Sequence, residues 1–146
     1  MTKLERFNTV LAQNLNDKKT LYGGTLLSEM DSVGGVCAMG FADSQVVTVG
    51  VNFMNFFVPL IENDMYVTSA MVSGVGTTSI EVYCQVHKVN FKMEKEVLVA
   101  DGFYTFVPIK KIDLPALVIT SEEDQLIVDG YQQRKQLVTK QKLGNA

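Results

Sequence analysis

Asp31 and the pair Gly23-Gly24 are the residues of this 146-residue chain whose surroundings point most directly to chemistry. Asp31 lies within a long apolar stretch, residues 22–41, at the edge of a predicted apolar helix face. A carboxylate in such a place is costly unless it is paired, solvated in a cleft, or used in a reaction. Asp31 is therefore a candidate for acid–base chemistry, and the alternative is an acid at the edge of the helix that pairs with a lysine.

The two glycines lie where the apolar stretch is predicted to begin a helix. The N–H groups at a helix N-terminus carry partial positive charge, so they can polarise a carbonyl or hold an oxyanion. Glycine also lets a substrate approach the backbone closely. Gly23 and Gly24 are therefore candidate substrate contacts, and the alternative is that they only allow a sharp turn.

Other residues that could carry chemistry are few. His87 is the single histidine, and it is predicted in the middle of a strand beside Lys88, where we expect a surface or structural role. Cys37 and Cys84 lie in apolar stretches and are expected to be core thiols in a reducing compartment. The sequence has no phosphate-loop motif, no dinucleotide-binding glycine fingerprint and no cluster of metal ligands, so no metal site is expected.

The composition narrows the classes of protein that this chain can be. The net charge of -3 argues against a nucleic-acid partner, and 47% hydrophobic residues are typical of a globular domain. No apolar run reaches the roughly 18–20 residues of a membrane span. The N-terminal segment 1–8 is polar and has no signal-peptide core. We therefore expect a cytoplasmic protein.

The helix that would position Asp31 is predicted to begin at Gly23-Gly24 and to end near Gly40 to Ser44. Its second half, 33–41, is apolar nearly all round, which predicts a helix enclosed by other structure. Eight residues share its apolar face at helical spacing: Leu26, Leu27, Met30, Val33, Gly34, Cys37, Ala38 and Phe41.

The sequence after this helix predicts an antiparallel sheet. A strand over 45–59 alternates in its apolar residues, so that Val47, Val49, Val51 and Phe53 are expected on one face. Three more strands, at about 65–73, 78–90 and 97–109, are joined by short turns and predict a meander. Before the helix, residues 4–15 carry apolar side chains at mixed spacing and are expected to form a short helix or an irregular arm.

The chain is predicted to end in a helical tail. Residues 110–115 read as a connector, Thr120 to Glu123 as a helix start, and the helix as continuing to about Lys142. Its last part is basic and is either a solvated helix end or a source of phosphate contacts. The fold class is therefore α+β, with one domain over 1–112 and a connector with a helical tail over 113–146. A sheet around one helix leaves an edge exposed, which favours pairing with a second copy.

Five segments, in order along residues 12–110, together resemble the hot-dog-fold acyl-CoA thioesterases of the cytosolic acyl-CoA hydrolase type. The first two are Asn16 followed by Thr20-Leu21-Tyr22-Gly23-Gly24, and Met30-Asp31 in the helix. The other three are the strand end 51–59 that closes with Pro59, the Gly-Thr-Thr-Ser turn 76–79, and the segment 100–108.

The resemblance implies a hot-dog fold, in which a long central helix is wrapped by an antiparallel sheet. It also implies hydrolysis of fatty acyl-CoA to free acid and CoA, with Asp31 of one protomer and Asn16 of another meeting across a dimer interface. Asp31 would act as general base on water or attack the carbonyl, Asn16 would orient the water, and the Gly24 amide would polarise the thioester. No cofactor is expected, since CoA is part of the substrate. The homodimer would build a tetramer or hexamer.

Contacts to the substrate and its CoA are expected from the helix start, strand 45–59, the Gly-Thr-Thr-Ser turn and the basic tail. These residues are Gly23, Asn55, Thr77, Thr78, Ser79, Arg134 and Lys135. The tail residues enter because Val58 stands where the family often has an arginine that contacts CoA phosphate. Lys19 stands where the family usually has a glycine. Asn52-Phe53 stand where the family often has an Asp-Gly pair.

Two other functions compete with a thioesterase. The first is a non-catalytic hot-dog module that binds acyl-CoA for regulation, which would need neither Asn16 nor Asp31. The second is a hot-dog dehydratase, whose family places a catalytic histidine where this chain has none. Retention of both Asn16 and Asp31 favours the enzyme.

Overall fold

The computed structural model of the protein describes residues 3–144, so Met1 and Thr2 of the polar N-terminal segment, and the last two residues of the tail, lie outside it. The strands are β1 (Lys3–Thr9), β2 (Val46–Phe56), β3 (Met65–Val75), β4 (Ile80–Val89) and β5 (Lys95–Pro108). The helices are α1 (Gly23–Ala42), α2 (Glu122–Asp129) and α3 (Tyr131–Gly144), with a short 3₁₀ helix at Ala12–Asn14.

The five strands form one antiparallel sheet in the order β1-β3-β4-β5-β2. The predicted meander is confirmed, because β3, β4 and β5 are neighbours joined by short turns. Side chains alternate between the two faces of a strand. On β4 the inward set packs against α1 and is fully buried: Ile80, Val82, Cys84 and Val86. We call the face that packs on α1 the inner face, and the opposite one the outer face.

Helix α1 begins and ends where the sequence predicts. Its last turn closes at Asp43, whose left-handed backbone (φ 51°) lies between Gly40 and Ser44. Seven of the eight residues predicted on its apolar face are buried, and Leu27 is half-buried. The expectation that 33–41 is enclosed all round is wrong for a single protomer, because Val36 is 49% exposed.

The prediction of a helix or irregular arm over residues 4–15 is wrong at its start, because Lys3–Thr9 is an edge strand paired with β3. Arg6 of this strand donates to Ser32 Oγ of α1, and Asn8 donates to Glu29 Oε2. These inward positions are polar because they meet the polar flank of α1. The apolar alternation that marks a half-buried strand is therefore missing from the sequence.

The prediction that four apolar residues of β2 share a face is also wrong. In the register with β5, Val47 pairs with Val107 and Val51 pairs with Tyr104, and these two partners lie on opposite faces. The cause is a bulge between Thr48 and Gly50. One extra residue in a strand moves each later side chain to the face of the sheet opposite to the one that plain alternation predicts. Strand β2 is the second edge of the sheet, with β5 as its one neighbour.

The predicted tail is helical, but it consists of two helices that separate at Gly130. The predicted start is confirmed by Ser121, whose side chain accepts a hydrogen bond from the Asp124 N–H. The tail contacts the outer face of the sheet, where Arg134 of α3 pairs with Glu81 of β4. None of the helices within residues 3–144 is long and apolar enough to cross a membrane. The cytoplasmic location and the division into 1–112 and 113–146 stay predictions.

Candidate active site

Asp31 lies on the third turn of α1, half-exposed, where the helix crosses the inner face of the sheet near β2. Thr48 Oγ1 donates a 2.6 Å hydrogen bond to Asp31 Oδ1. Within residues 3–144 no other group donates to this carboxylate and no lysine or arginine pairs with it. The alternative that Asp31 is an acid paired with a lysine is therefore wrong for the protomer, and Oδ2 remains open to a substrate or water.

Glu29, the neighbouring carboxylate on α1, is in a different situation. Its Oε1 accepts a 2.8 Å hydrogen bond from the Tyr66 hydroxyl, and its Oε2 accepts one from Asn8. Burial and then this hydrogen bond raise the pKa of Tyr66, so the phenol keeps its proton and continues to donate. Both oxygens of Glu29 thus serve the structure, which leaves Asp31 as the carboxylate of α1 that is available for chemistry.

The N-terminus of α1 supplies hydrogen-bond donors. Tyr22 precedes the helix and its carbonyl accepts from the Thr25 N–H at 2.9 Å. The N–H groups of Gly23 and Gly24 come before the first intrahelical bond and have no helical acceptor. A Cβ on Gly24 would lie 2.5 Å from the Tyr22 ring, so a side chain there would displace the ring.

Asn16 lies in the loop that leads to this helix start. Its Oδ1 accepts from the Lys18 N–H at 2.9 Å and from the Thr20 N–H at 3.1 Å, while its Nδ2 lies 2.9 Å from Thr20 Oγ1. Lys19 has a left-handed backbone, with φ 63°. The loop thus takes a shape that suits glycine, although the residue is lysine.

The predicted CoA contacts lie mostly away from Asp31. Asn55 of β2 donates to Asp101 Oδ1, and Ser79 ends the turn between β3 and β4. On α3, Arg134 is bound to Glu81 through a 2.7 Å ion pair and lies 4.1 Å from the centre of the Phe103 ring. Asn55, Arg134 and Lys135 are on the outer side of the sheet, whereas Asp31 is on the inner side. Within one protomer the candidate residues therefore lie in two separate groups, one on each side of the sheet.

Arg134 is accordingly not part of a solvated helix end, since it is largely buried and neutralised by a carboxylate. Thr77 and Thr78 are exposed in the turn. The two residues that sequence reasoning missed are Thr48, at the candidate base, and Tyr131, beside the turn. Neither is marked by a local pattern, because each acts on a residue far away in the chain.

Comparisons with known proteins agree with this architecture. The thioesterase superfamily matches residues 18–90, which is half of the chain. The chain is 28% identical over 137 residues to the uncharacterized acyl-CoA thioester hydrolase YkhA of Bacillus subtilis, a match that covers 91% of this chain and 80% of that protein.

Two solved structures superimpose closely. An acyl-CoA hydrolase from Staphylococcus aureus, in complex with butyryl-CoA, CoA and CoA disulfide, matches with a TM-score of 0.92 at 28% identity, over 98% of this chain and 90% of that one. A hexameric acyl-CoA thioesterase in its apo form matches with a TM-score of 0.89 at 26% identity, over 95% of this chain and 92% of that one. The chain therefore belongs to the thioesterase superfamily and is a thioester hydrolase with the hot-dog fold.

Proposed function

We propose that the protein hydrolyses fatty acyl-CoA to a free acid and CoA. The observation that carries this proposal is the setting of Asp31: one oxygen is fixed by Thr48 and the other is open. The relatives named acyl-CoA hydrolases, and the S. aureus structure with butyryl-CoA, support the substrate class. An apolar groove of about 290 Å³ beside Gly23, which includes Leu26, Phe56 and Phe57, offers a place for the acyl chain.

The active site is shared between two copies of the chain. Gly24 and Asp31 are seven positions apart on one helix, which is about 10 Å along its axis. One thioester carbonyl cannot contact both groups at that distance. Asn16, however, is close to Gly24 in the chain and is bonded to the segment just before the helix, because its N–H donates to the Thr20 carbonyl at 2.8 Å. One copy thus supplies Asn16 and Gly24, and the other supplies Asp31.

In the proposed reaction Asp31 acts as a general base. Its open oxygen takes a proton from water that Asn16 orients, and the resulting hydroxide attacks the thioester carbonyl. The Gly24 N–H stabilises the oxygen that becomes negatively charged. The C–S bond then breaks, and the CoA thiolate leaves and takes up a proton. No cofactor takes part. Direct attack by Asp31 on the carbonyl would instead expel CoA and form an acyl anhydride on Asp31. Attack of labelled water on the Asp31 carboxyl carbon of that anhydride would release the acid and leave labelled oxygen in the Asp31 side chain, which the general-base route does not do.

The homodimer is expected to be part of a tetramer or hexamer, which is supported by the hexameric neighbour. The edge strand β2, next to Asp31, is free to pair with a second copy. Gly23, Asn55, Thr77, Thr78, Ser79 and Lys135 remain proposed contacts to the substrate or its CoA. Because Arg134 is neutralised by Glu81, Lys135 is the stronger candidate for a phosphate contact.

The experiment is a hydrolysis panel of acyl-CoA esters, beginning with butyryl-CoA and extending to long chains. We expect turnover by the wild type and a loss of roughly 10²–10⁴ in rate for Asp31→Asn, since that is the usual worth of a general base. Asp43→Asn is the matched control, because Asp43 is an exposed carboxylate at the other end of α1 and asparagine tolerates its left-handed backbone. A folded Asp31→Asn protein with wild-type turnover would contradict the proposal.

A further inference from the structure

Tyr104 of β5 is buried on the inner face of the sheet, and its hydroxyl reaches the helix that carries Asp31. The hydroxyl donates a 2.8 Å hydrogen bond to the Leu27 carbonyl of α1, 77 positions away in the chain. In an α-helix the carbonyl of residue 27 also accepts from the N–H of residue 31. Tyr104 and the backbone of Asp31 therefore share one acceptor.

A second contact from the sheet holds the same turn of the helix. The Cys84 thiol of β4 donates to the carbonyl of Met30, the residue before Asp31, at 3.5 Å. The helix comes close enough for this contact at Gly34, where a Cβ would lie 3.0 Å from Cys84 Sγ and 3.3 Å from the Phe106 ring. Because a thiol is a weak donor and a phenol is a strong one, Tyr104 supplies the better of the two bonds.

The Tyr104 hydroxyl keeps its proton and serves as a donor. Burial, and then the nearby Cys84 and Asp31, raise the pKa of this phenol above its ordinary value of 10.0. The hydroxyl donates to the backbone, whereas the Asp31 carboxylate accepts from Thr48. Tyr104 is therefore placed to act on the reaction through the position of Asp31, and not by transferring a proton itself.

We propose that Tyr104 is a positioning residue for hydrolysis, which fixes the backbone of Asp31 while Thr48 fixes its side chain. This inference rests on the proposed function, in which Asp31 is the general base. Thr48 holds one carboxylate oxygen from β2, and Tyr104 holds the helix turn from β5. The open oxygen thus keeps its place relative to both strands. A misplacement of about 1 Å can lower a rate by about 100-fold, so this second attachment bears on kcat.

The first experiment removes the hydroxyl alone. Tyr104→Phe keeps the buried ring, and the Leu27 carbonyl keeps its partner within the helix. For butyryl-CoA we expect kcat to fall about tenfold with little change in KM, as for an interaction that matters only in the transition state. Thermal unfolding is measured first, so that the kinetics are taken well below the midpoint of unfolding of each variant.

Tyr66→Phe is the matched control. Tyr66 is also buried, and its hydroxyl also bonds to α1 at 2.8 Å, but its partner is the Glu29 side chain and not the backbone of Asp31. We expect the kcat of this variant to stay within about twofold of the wild-type value.

The second experiment asks whether Tyr104 acts through Asp31. Tyr104→Phe is combined with Asp31→Asn, and the residual hydrolysis of butyryl-CoA is compared with that of Asp31→Asn alone. Residues that act as a unit are not additive, so we expect no further loss in the double variant. A tyrosine that only supports the fold would lower the rate by the same factor in both backgrounds.

The inference is overturned by a folded Tyr104→Phe enzyme with wild-type kcat, or by a loss that recurs in full in the Asp31→Asn background. A Tyr104→Phe protein that does not fold would assign the hydroxyl a structural role and would also overturn it. In each of these cases the proposed function stands if Asp31→Asn alone is inactive. A wild type without activity on acyl-CoA, or a folded Asp31→Asn enzyme with wild-type turnover, overturns the proposed function and this inference together.

Discussion

Thr48 and Asp31 are joined by a 2.6 Å hydrogen bond between β2 and α1, 17 residues apart in the chain. Because of the bulge that follows Thr48, the side chains of β2 beyond it alternate in the opposite phase. Thr48 pairs with the buried Phe106 of β5 and is therefore on the inner face, toward the helix. The bond holds one carboxylate oxygen and so fixes the direction of the other.

Removing this bond should lower kcat while leaving the fold intact. Thr48→Val has nearly the same shape and cannot donate to Asp31. Because catalysis depends strongly on the orientation of the reacting group, we expect kcat to fall by about 10- to 100-fold. Thr48→Ser retains a hydroxyl and is the matched control. Steady-state kinetics of butyryl-CoA hydrolysis checks both, and a Thr48→Val enzyme with wild-type kcat would show that Asp31 is oriented by something else.

Replacing Lys19 by glycine should stabilise the protein. A lysine at φ 63° is strained by about 1–2 kcal/mol, and glycine removes this strain from the folded protein. Part of the gain is lost, because glycine also makes the unfolded chain more flexible. We expect the free energy of unfolding in urea to rise by about 0.5–1 kcal/mol. The neighbouring Lys18 is also exposed and has no positive φ, so Lys18→Gly should not stabilise. Lower stability of Lys19→Gly would contradict this explanation.

The Arg134–Glu81 pair should matter for the stability of the tail. Side chains of both residues are mostly buried, and Glu81 also accepts from Ser73 Oγ at 2.7 Å. Arg134→Met leaves a buried carboxylate without its cation, which costs about 3–5 kcal/mol. In the double variant Glu81→Gln, Arg134→Met no charge is left unpaired, so part of the loss should be recovered. Urea unfolding of the three proteins measures this, and equal stability of Arg134→Met and wild type would be evidence against it.

His87 should make the protein less stable in mild acid. Burial, and then the nearby Lys95, lower the pKa of this imidazole from its ordinary value of 6.5, and Nδ1 is buried without a hydrogen-bond partner among the described residues. Between the lowered pKa and 6.5 the unfolded chain binds a proton that the folded protein does not. Stability is therefore lost as the pH falls below about 6.5.

The measurement for His87 compares thermal unfolding of the wild type and His87→Gln at pH 7.5 and pH 5.5. Acid affects carboxylates in both proteins equally, so the difference between them isolates the histidine. We expect the wild type to lose more stability than the variant over this interval. An equal loss in the two proteins would mean that His87 does not contribute.

The sequence predicts the parts of this fold that rest on local apolar periodicity. Helix α1 and the strands β4 and β5 are of this kind, because their buried residues recur largely at helical or alternating spacing, whereas β3 is buried on both faces over most of its length. Strand β1 could not be recognised, since Arg6 and Asn8 point inward to bind polar residues of α1. In β2, register shifts after Thr48 and after Asn52 break the alternation, and no local signal in the sequence marks them.

The candidate site likewise contains residues that the sequence marks and residues that only the fold reveals. Asp31 and the two glycines stand out because their neighbours in the chain are apolar or small. Thr48, Arg134 and Tyr131 acquire their meaning from residues that the fold brings close, such as Glu81, which is 53 positions from Arg134. Lys19 and Phe53 show a related effect. Both have a positive φ, a backbone shape that suits glycine, at positions where the resemblance implies a glycine.

Mixing two inactive variants tests whether Asp31 and Asn16 act across two copies of the chain. Asn16→Ala and Asp31→Asn are each expected to be inactive alone. After unfolding and refolding together, half of the dimers are hybrids, and each hybrid holds one intact site of two. We expect activity on butyryl-CoA to return to roughly a quarter of the wild-type value. A mixture whose subunits have exchanged and that remains inactive would contradict a shared site.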